Sequence, residues 1–266
     1  MVVYIRFNSS KELPYMYDKM RVVLIYFLLQ TAVYAQDIPT SEQRTLINRP
    51  TAGSLERGSY DIELRLYSEG GLLGGVAVGL TDRITFGATY GGLKIIGEGK
   101  VEWNPKPEVN IKYRLFEESY SGPAVSLGYS SQGFGAWSDS LNRYQIKSPG
   151  LYVALSKNYS MMGNIGFHGG GNLSFESKDD DEDIDMWIGF DKSINEEISI
   201  LGEYDFALND NGDKAFGSGK GYLNAALRWS FVDELIIEFD VNNILGNRKG
   251  TAAASREIKI IYLEFF

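Results

Sequence analysis

Apolar and polar residues alternate along most of the chain, in short runs that are separated by turn residues. In the run 60–67, Ile62 and Leu64 alternate with Asp61 and Glu63, and a period of two residues indicates a β-strand with one apolar face. Twelve runs of this kind begin near residues 60, 72, 84, 109, 125, 151, 164, 184, 200, 223, 235 and 255. The pattern therefore predicts an all-β fold of about twelve strands.

The connections between these runs alternate in length. After even-numbered strands they are short, at 81–83, 117–122, 157–162, 193–197 and 232–234. After odd-numbered strands, apart from a short first turn at Ser68, they are long, at 91–107, 131–148, 174–183, 208–220 and 243–254. Outer-membrane barrels have an even number of strands, short periplasmic turns and longer extracellular loops. We therefore expect a single transmembrane antiparallel up-and-down β-barrel with both termini in the periplasm, in the outer membrane of a Gram-negative-type bacterium.

The last run, 255–266, supports closure of the sheet. Ile258, Tyr262 and Phe266 share one face of this strand, and an exposed aromatic edge strand would recruit other chains. Pairing with the first strand removes that edge. The aromatic ending, with Tyr262 and Phe266, resembles the C-terminal signal that the outer-membrane assembly machinery reads, although Glu264 stands where that signal usually has an apolar residue.

The N-terminal region has the layout of a secretion signal. Lys19 and Arg21 precede an apolar run at 22–29 and a small-residue exit that ends at Ala35, which is the order of a signal peptide. We expect residues 1–35 to be removed after Ala35, with Met20 as an alternative start. The polar residues 36–57 are then a periplasmic leader or plug segment, and residues 58–266 form the barrel.

Composition excludes several functional classes. The chain of 266 residues has no cysteine and a formal net charge of −9, so thiolate chemistry is absent and nucleic-acid binding is disfavoured. No apolar run reaches the roughly 18–20 residues that a membrane helix needs. Outer-membrane lipid, lipopolysaccharide and the barrel assembly machinery are the partners expected instead.

The polar face of the predicted strands carries charged residues that would line the lumen. These residues are Asp61, Glu63, Arg65, Lys112, Arg114, His168, Asp185, Glu203, Arg228, Glu238, Asp240 and Lys259. Two interpretations stay open at this point. The charges line a pore that selects solutes, with a preference for cations because acids outnumber bases, or they pair across strands and fill a closed lumen.

Few residues are candidates for catalysis or metal binding. His168 is the chain's single histidine, and no serine has a sequence context that selects it as a nucleophile. The acidic stretches 179–183 and 209–213 could offer oxygen ligands to Ca²⁺, but neither has the full spacing of a calcium loop, and solvated surface loops are favoured. We expect no catalytic residue, no metal and no cofactor.

A short segment resembles a known family. Arg49-Pro50-Thr51-Ala52, followed by Gly-Ser-Tyr at 58–60, is similar to the opening of YjbH-type exopolysaccharide-associated outer-membrane proteins. The resemblance implies a non-enzymatic role at the cell surface, with surface polysaccharide machinery as a partner. A small-solute, weakly cation-selective channel is the alternative, and an envelope lipid hydrolase is a more remote one.

Overall fold

A computed structural model describes residues 42–232, 234–250 and 253–266. The predicted signal peptide lies outside these residues. The strands in the described part are β1 Ser59–Tyr67, β2 Gly71–Thr81, β3 Ile84–Leu93, β4 Glu102–Trp103, β5 Glu108–Phe116, β6 Ala124–Ser130, β7 Phe134–Ser138, β8 Arg143–Ile146, β9 Gly150–Ser160, β10 Asn164–Leu173, β11 Asp185–Ser193, β12 Ile198–Asp205, β13 Tyr222–Val232, β14 Leu235–Asn242 and β15 Ser255–Phe265. No helix in these residues is long and apolar enough to cross a membrane.

Twelve of the strands form one closed antiparallel barrel. Each of β1, β2, β3, β5, β6 and β9 to β15 pairs with its neighbours in chain order, and β1 also pairs with β15, which places Ser59 opposite Phe265. The closed barrel leaves no free sheet edge among these strands. The predicted twelve-stranded barrel is confirmed.

The connection between β6 and β9 differs from the prediction. Residues 131–148 were expected to be a loop, but β7 and β8 within them pair as a separate hairpin. Its ladder is irregular, with a register shift between Phe134 and Trp137, so the two-residue period that identifies a strand is interrupted. The alternation of apolar and polar residues therefore does not predict this hairpin.

The two faces of the barrel reverse the arrangement of a soluble protein. Large apolar side chains such as Ile62, Val153 and Phe239 point outward and are exposed. The residues between them point inward and are mostly polar and buried. An exposed apolar surface of this extent around a polar interior is that of a barrel surrounded by lipid hydrocarbon. The protein is an outer-membrane β-barrel.

The two ends of the barrel are distinct. The start of β1, the end of β15 and the short connections after β2, β5, β9, β11 and β13 lie at one end, here called the turn end. The short β1–β2 turn and the long connections lie at the other, here called the loop end. At the turn end the Phe266 N–H donates to the Gly58 carbonyl at 2.8 Å. Glu264 accepts hydrogen bonds from the hydroxyls of Tyr60 and Tyr262, so this polar residue has partners beside the aromatic terminus.

Candidate functional site

Residues 42–57, called here the lumen hairpin, enter the barrel, and the part from 46 to 55 is buried inside it. The Leu46 N–H donates to the Arg49 carbonyl at 2.9 Å, and the Thr51 N–H donates to the Arg44 carbonyl at 3.0 Å. These bonds fold residues 44–51 into a tight turn. Glu42 pairs with Arg114 of β5 near the turn end, so the hairpin enters the lumen from that end and its tip points toward the loop end.

Two apolar side chains anchor the hairpin tip. Leu46 packs with Tyr152, Ala154 and Trp187, whereas a second cluster holds Ile47, Leu201 and Ala226. The site requires small residues on the wall. A Cβ atom at Gly189 would stand 2.6 Å from Leu46 Cδ1 and 2.4 Å from the Gly202 carbonyl oxygen. Glycine at position 189 thus provides room for the hairpin.

The carboxylate of Glu203 on β12 holds the backbone of the tip. Its Oε2 atom accepts three hydrogen bonds from consecutive backbone N–H groups, at 3.0, 2.9 and 2.8 Å, those of Ile47, Asn48 and Arg49. Its Oε1 atom accepts from Asn224 Nδ2 at 2.8 Å. Successive N–H groups that converge in this way form a concavity suited to an anion, and here the barrel wall supplies the anion.

Arg49 makes the main ion pairs between the tip and the wall. Its Nη2 atom lies 2.9 Å from Asp185 Oδ2 and 2.5 Å from Asp205 Oδ2, and its Nε atom donates to Asp205 at 3.0 Å. All three side chains are buried. Because buried charges need partners, removal of the hairpin would leave two carboxylates without their cation.

Lysines and a serine of the wall satisfy carbonyl groups of the hairpin. Lys112 donates to the Arg44 and Gly53 carbonyls at 2.9 and 2.8 Å, and Lys259 donates to the Ile47 carbonyl at 2.7 Å. Ser126 donates to the Ala52 carbonyl at 2.8 Å. The hairpin is thus bound through its backbone along its whole length.

The remaining lumen charges pair across neighbouring strands. Lys259 lies 2.7 Å from Glu238 and 2.9 Å from Asp240, while Arg228 also pairs with Glu238. Arg65 pairs with Glu257 at 2.5 Å. The strands β13, β14, β15 and β1 therefore carry two groups of ion pairs, one that joins Arg228, Glu238, Lys259 and Asp240 and one that joins Arg65 and Glu257.

The twelve residues expected in the lumen all lie on the inward face, and ten of them are buried, whereas Glu63 and Arg228 are half-buried. The structure brings ten of the twelve to direct contacts with the hairpin or with one another. Besides those in the bonds given above, Asp61 pairs with Arg44, and Arg65 donates to Asn48 Oδ1 at 2.5 Å. Tyr262 and Phe266 lie at the turn end on the outside. Sequence reasoning missed the hairpin's Arg49 and Asn48, since no strand period marks residues 42–57.

His168 takes part in a chain of hydrogen bonds. Its Nδ1 atom lies 2.8 Å from Ser156 Oγ and its Nε2 atom 2.7 Å from Asp191 Oδ1. Ser156 Oγ also accepts the Ala52 N–H at 2.9 Å. A serine, a histidine and a carboxylate in series are the parts of a nucleophilic site. Here the serine oxygen is already bonded to the hairpin and buried, so the series holds Ala52 in place.

A buried polar cluster lies at the loop end and is called here the loop-end cap; it is formed by Arg143, Lys147, Asp179, Asp181 and Asp210. Arg143 pairs with Asp179 and, at 2.8 Å, with Asp210, and Lys147 lies 2.8 Å from Asp179. All five side chains are buried. The expectation of solvated acidic loops is therefore wrong at these positions, because the cations come from the unpredicted β7–β8 hairpin. The described residues contain no group of three or more His, Asp or Glu side chains placed to hold a metal.

A titratable group lies beside this cap. Glu176, in the connection between β10 and β11, accepts the Tyr144 N–H at 3.1 Å. Burial raises the pKa of Glu176 from its ordinary 4.5 to about 7, while bonds from Ser148 and Tyr144 and the charge of Arg143 act in the opposite direction. The carboxyl group thus titrates near neutral pH.

Small cavities remain around the hairpin. One, of about 10 Å³, lies between Arg65, Phe134 and Tyr144. Another, of about 50 Å³, lies at the turn end between Glu42, Arg228 and Leu263. Volumes of this size hold one to a few water molecules. Neither cavity has room for an organic solute.

Comparisons with known proteins find similarity in fold alone. No family model and no curated protein sequence matches the chain. Among solved structures, the KdgM porin is 10% identical, with 78% of this chain and 99% of that chain covered and a TM-score of 0.45. The NanC porin is 11% identical, the match covers 78% of this chain and 99% of that chain, and the TM-score is 0.42. The outer-membrane protein Omp33 of Acinetobacter baumannii is 8% identical, the match covers 84% of this chain and 100% of that chain, and the TM-score is 0.43.

Proposed function

We propose that this outer-membrane barrel is closed in its resting state and acts without enzymatic activity at the cell surface, in exopolysaccharide export or assembly as for YjbH-type barrels. The observation that carries the proposal is the lumen hairpin. The Arg49-Pro50-Thr51-Ala52 segment that supports the resemblance contributes Arg49, which pairs with two buried aspartates, and Ala52, which bonds to Ser126 and Ser156. The segment that carries the resemblance to that family is thus the one that lies in the lumen.

The pairing of the lumen charges supports the closed state. A charge-selective pore needs ionised groups that face water and the passing solute. In this barrel Lys112 is bonded to hairpin carbonyls, and Glu238 and Lys259 are bonded to each other and buried. Such groups stabilise a filled interior and are not free to bind ions in transit.

A gated small-solute channel is the second candidate. The contacts that hold the hairpin are mainly hydrogen bonds and ion pairs, with apolar anchors at Leu46 and Ile47. Water can replace polar contacts at a net cost of about 1 kcal/mol each, so an outside force or partner could withdraw the hairpin and open the lumen. In this candidate, conductance requires movement of the hairpin.

A disulfide tether separates the two candidates. The chain has no cysteine of its own, so Ile47→Cys with Ala226→Cys, two residues of one buried cluster, introduces a single pair. The closed barrel predicts silent planar bilayers in both the reduced and the oxidised form. A gated channel predicts conductance steps in the reduced form that oxidation removes. Conductance steps of the same size in both forms would contradict a closing role for the hairpin. Each single-cysteine variant serves as control.

Two further measurements test the absence of enzymatic activity and the surface role. Purified wild-type protein is expected to release no fatty acid from phospholipid vesicles, and release that Ser156→Ala or His168→Ala abolishes would establish a hydrolase. Deletion of the gene is expected to reduce exported polysaccharide at the cell surface. Unchanged export would contradict the polysaccharide role while leaving the closed barrel intact.

A further inference from the structure

A buried arginine near the loop end has two nitrogens that meet no acceptor. Arg248, between β14 and β15, is 6% exposed, and its Nε and Nη2 atoms make no hydrogen bond within the described residues. These two nitrogens form the guanidinium edge that binds a carboxylate or phosphate through two parallel hydrogen bonds. The ring of Tyr222 covers one guanidinium face, with Cζ 4.3 Å from the ring centroid. The free edge is thus the part that remains to be paired.

Two asparagines shortly before this arginine in the chain also have unpaired amide donors. The Nδ2 atoms of Asn242 and Asn243 are buried and have no acceptor in the described part of the chain. Asn243 adjoins the arginine directly, because its Oδ1 atom accepts the Arg248 backbone N–H at 3.2 Å. The unpaired atoms of these three residues are therefore all donors.

The orientation of both amides follows from their oxygens. Asn48 Oδ1 accepts from Arg65 at 2.5 Å, so Asn48 Nδ2 is the group that donates to Asn242 Oδ1 at 2.8 Å. Rotating the Asn242 amide by 180° would set two NH₂ groups against each other. The Asn243 oxygen is fixed in the same way by the Arg248 N–H. Both NH₂ groups must therefore seek another acceptor.

Carboxylates of the neighbourhood are already engaged. Both oxygens of Asp210 are occupied, one by Arg143 and the Phe216 N–H and the other by the Tyr222 hydroxyl. Asp240, two residues before Asn242 on β14, has Lys259 Nζ as its cation at 2.9 Å, although neither of its oxygens makes a hydrogen bond within the described residues. Water could satisfy the amides, but water does not neutralise a buried guanidinium charge.

We infer that Arg248, with Asn242 and Asn243, forms a binding site for a small oxyanion, a carboxylate or phosphate-type group, beneath the β14–β15 connection. The anion accepts two hydrogen bonds from the arginine edge and one or more from the amides, and it supplies the charge that the surrounding chain does not. The inference does not depend on the proposed function, because it uses only donors that have no partner within the described residues. Asn242 Oδ1 separately accepts a hydrogen bond from Asn48 of the lumen hairpin.

Calorimetric titration of the full chain, folded in detergent micelles, tests the site. Sodium phosphate, sulfate and acetate are titrated in turn at constant ionic strength, which distinguishes tetrahedral from planar oxyanions. Saturable binding of at least one is expected. Arg248→Gln should weaken it by about tenfold or more, because charged hydrogen bonds contribute about 1.5–3 kcal/mol each. Arg83→Gln, the same change at an exposed turn-end position, should leave it unchanged.

A second variant covers the case in which Arg248→Gln does not fold. Asn243 has a left-handed backbone with φ of 54°, which aspartate tolerates as asparagine does. Asn243→Asp places a negative charge beside the arginine, so it should abolish anion binding and raise the melting temperature in anion-free buffer. Absence of saturable binding to the wild type, or equal binding to wild type and Asn243→Asp, would overturn the inference.

Discussion

A conservative change at Glu203 tests whether the lumen hairpin is held as a fixed plug. In Glu203→Gln the side-chain oxygen can still accept the N–H groups of residues 47–49, but it no longer carries charge. The new NH₂ group would face Asn224 Nδ2, which cannot turn away because Asn224 Oδ1 accepts the Asn243 N–H at 2.8 Å. The NH₂ groups of the Glu203→Gln side chain and of Asn224 would thus be two donors in contact, with no acceptor between them.

The magnitude follows from the bonds that are weakened. Hydrogen bonds to charged groups contribute about 1.5–3 kcal/mol, against about 1 kcal/mol for neutral ones. Three weakened bonds and one donor–donor contact, with partial relaxation, give a loss of about 2–4 kcal/mol in the docking of the hairpin. At 1.4 kcal/mol per factor of ten, local opening becomes about 30 to 700 times more frequent.

Hydrogen exchange measured by mass spectrometry reads this opening directly, through peptides that cover residues 42–57. The backbone amides of the hairpin are expected to exchange slowly in the wild type. In Glu203→Gln they should exchange about 30 to 700 times faster, in proportion to the increase in local opening. The matched control is Glu63→Gln, the same change at a half-buried lumen position that makes no hydrogen bond or ion pair among the described residues. Unprotected hairpin amides in the wild type, or unchanged rates in Glu203→Gln, would refute the reasoning.

Three other predictions concern the lumen ion pairs, the loop-end cap and the N-terminal segment. Glu238→Gln combined with Asp240→Asn removes both ion pairs of buried Lys259 and should destabilise the barrel by about 3–5 kcal/mol. The measurement is the temperature at which the folded barrel unfolds, detected as a change of mobility on gels, and it should be lower in the variant. An unchanged temperature would contradict a stabilising role of these ion pairs. Burial raises the pKa of Glu176 to about 7, so the stability it gives the loop-end cap is complete below its ordinary pKa of 4.5 and is lost as pH rises through about 7. Loop proteolysis should therefore be faster at pH 8 than at pH 5, and Glu176→Gln should remove the difference. Mass spectrometry of envelope protein should find Gln36 as the first residue, and an intact N-terminal segment would exclude the predicted cleavage.

The barrel could be predicted because its signals are local. Alternation such as that of Ile62 and Leu64 with Asp61 and Glu63 follows directly from strand geometry, and the lengths of the connections report which end of the barrel each one lies at. The strand pairing then needs only chain order and closure. The inward position of residues such as Lys112 and Glu203 follows from the same alternation, because every second side chain of a strand lies on the same face.

The partners of those residues could not be predicted, because they are distant in sequence and meet only when the barrel closes. Glu203 binds the backbone of residues more than 150 positions earlier, and nothing in the polar stretch 42–57 marks it as a ligand for a carboxylate. The β7–β8 hairpin and its buried Arg143 were hidden by an irregular ladder.

The sequence by itself determined the number of strands, their two faces and the membrane that surrounds them, since these depend on a two-residue period and on the chemistry of lipid and water. Only the tertiary structure decided between an open and a filled lumen. That choice depends on whether charges such as Asp185 and Lys259 face water or each other, and on a hairpin whose backbone N–H and C=O groups find acceptors and donors on the wall. Complementarity of this kind is a property of positions in space, which the order of residues along the chain does not display.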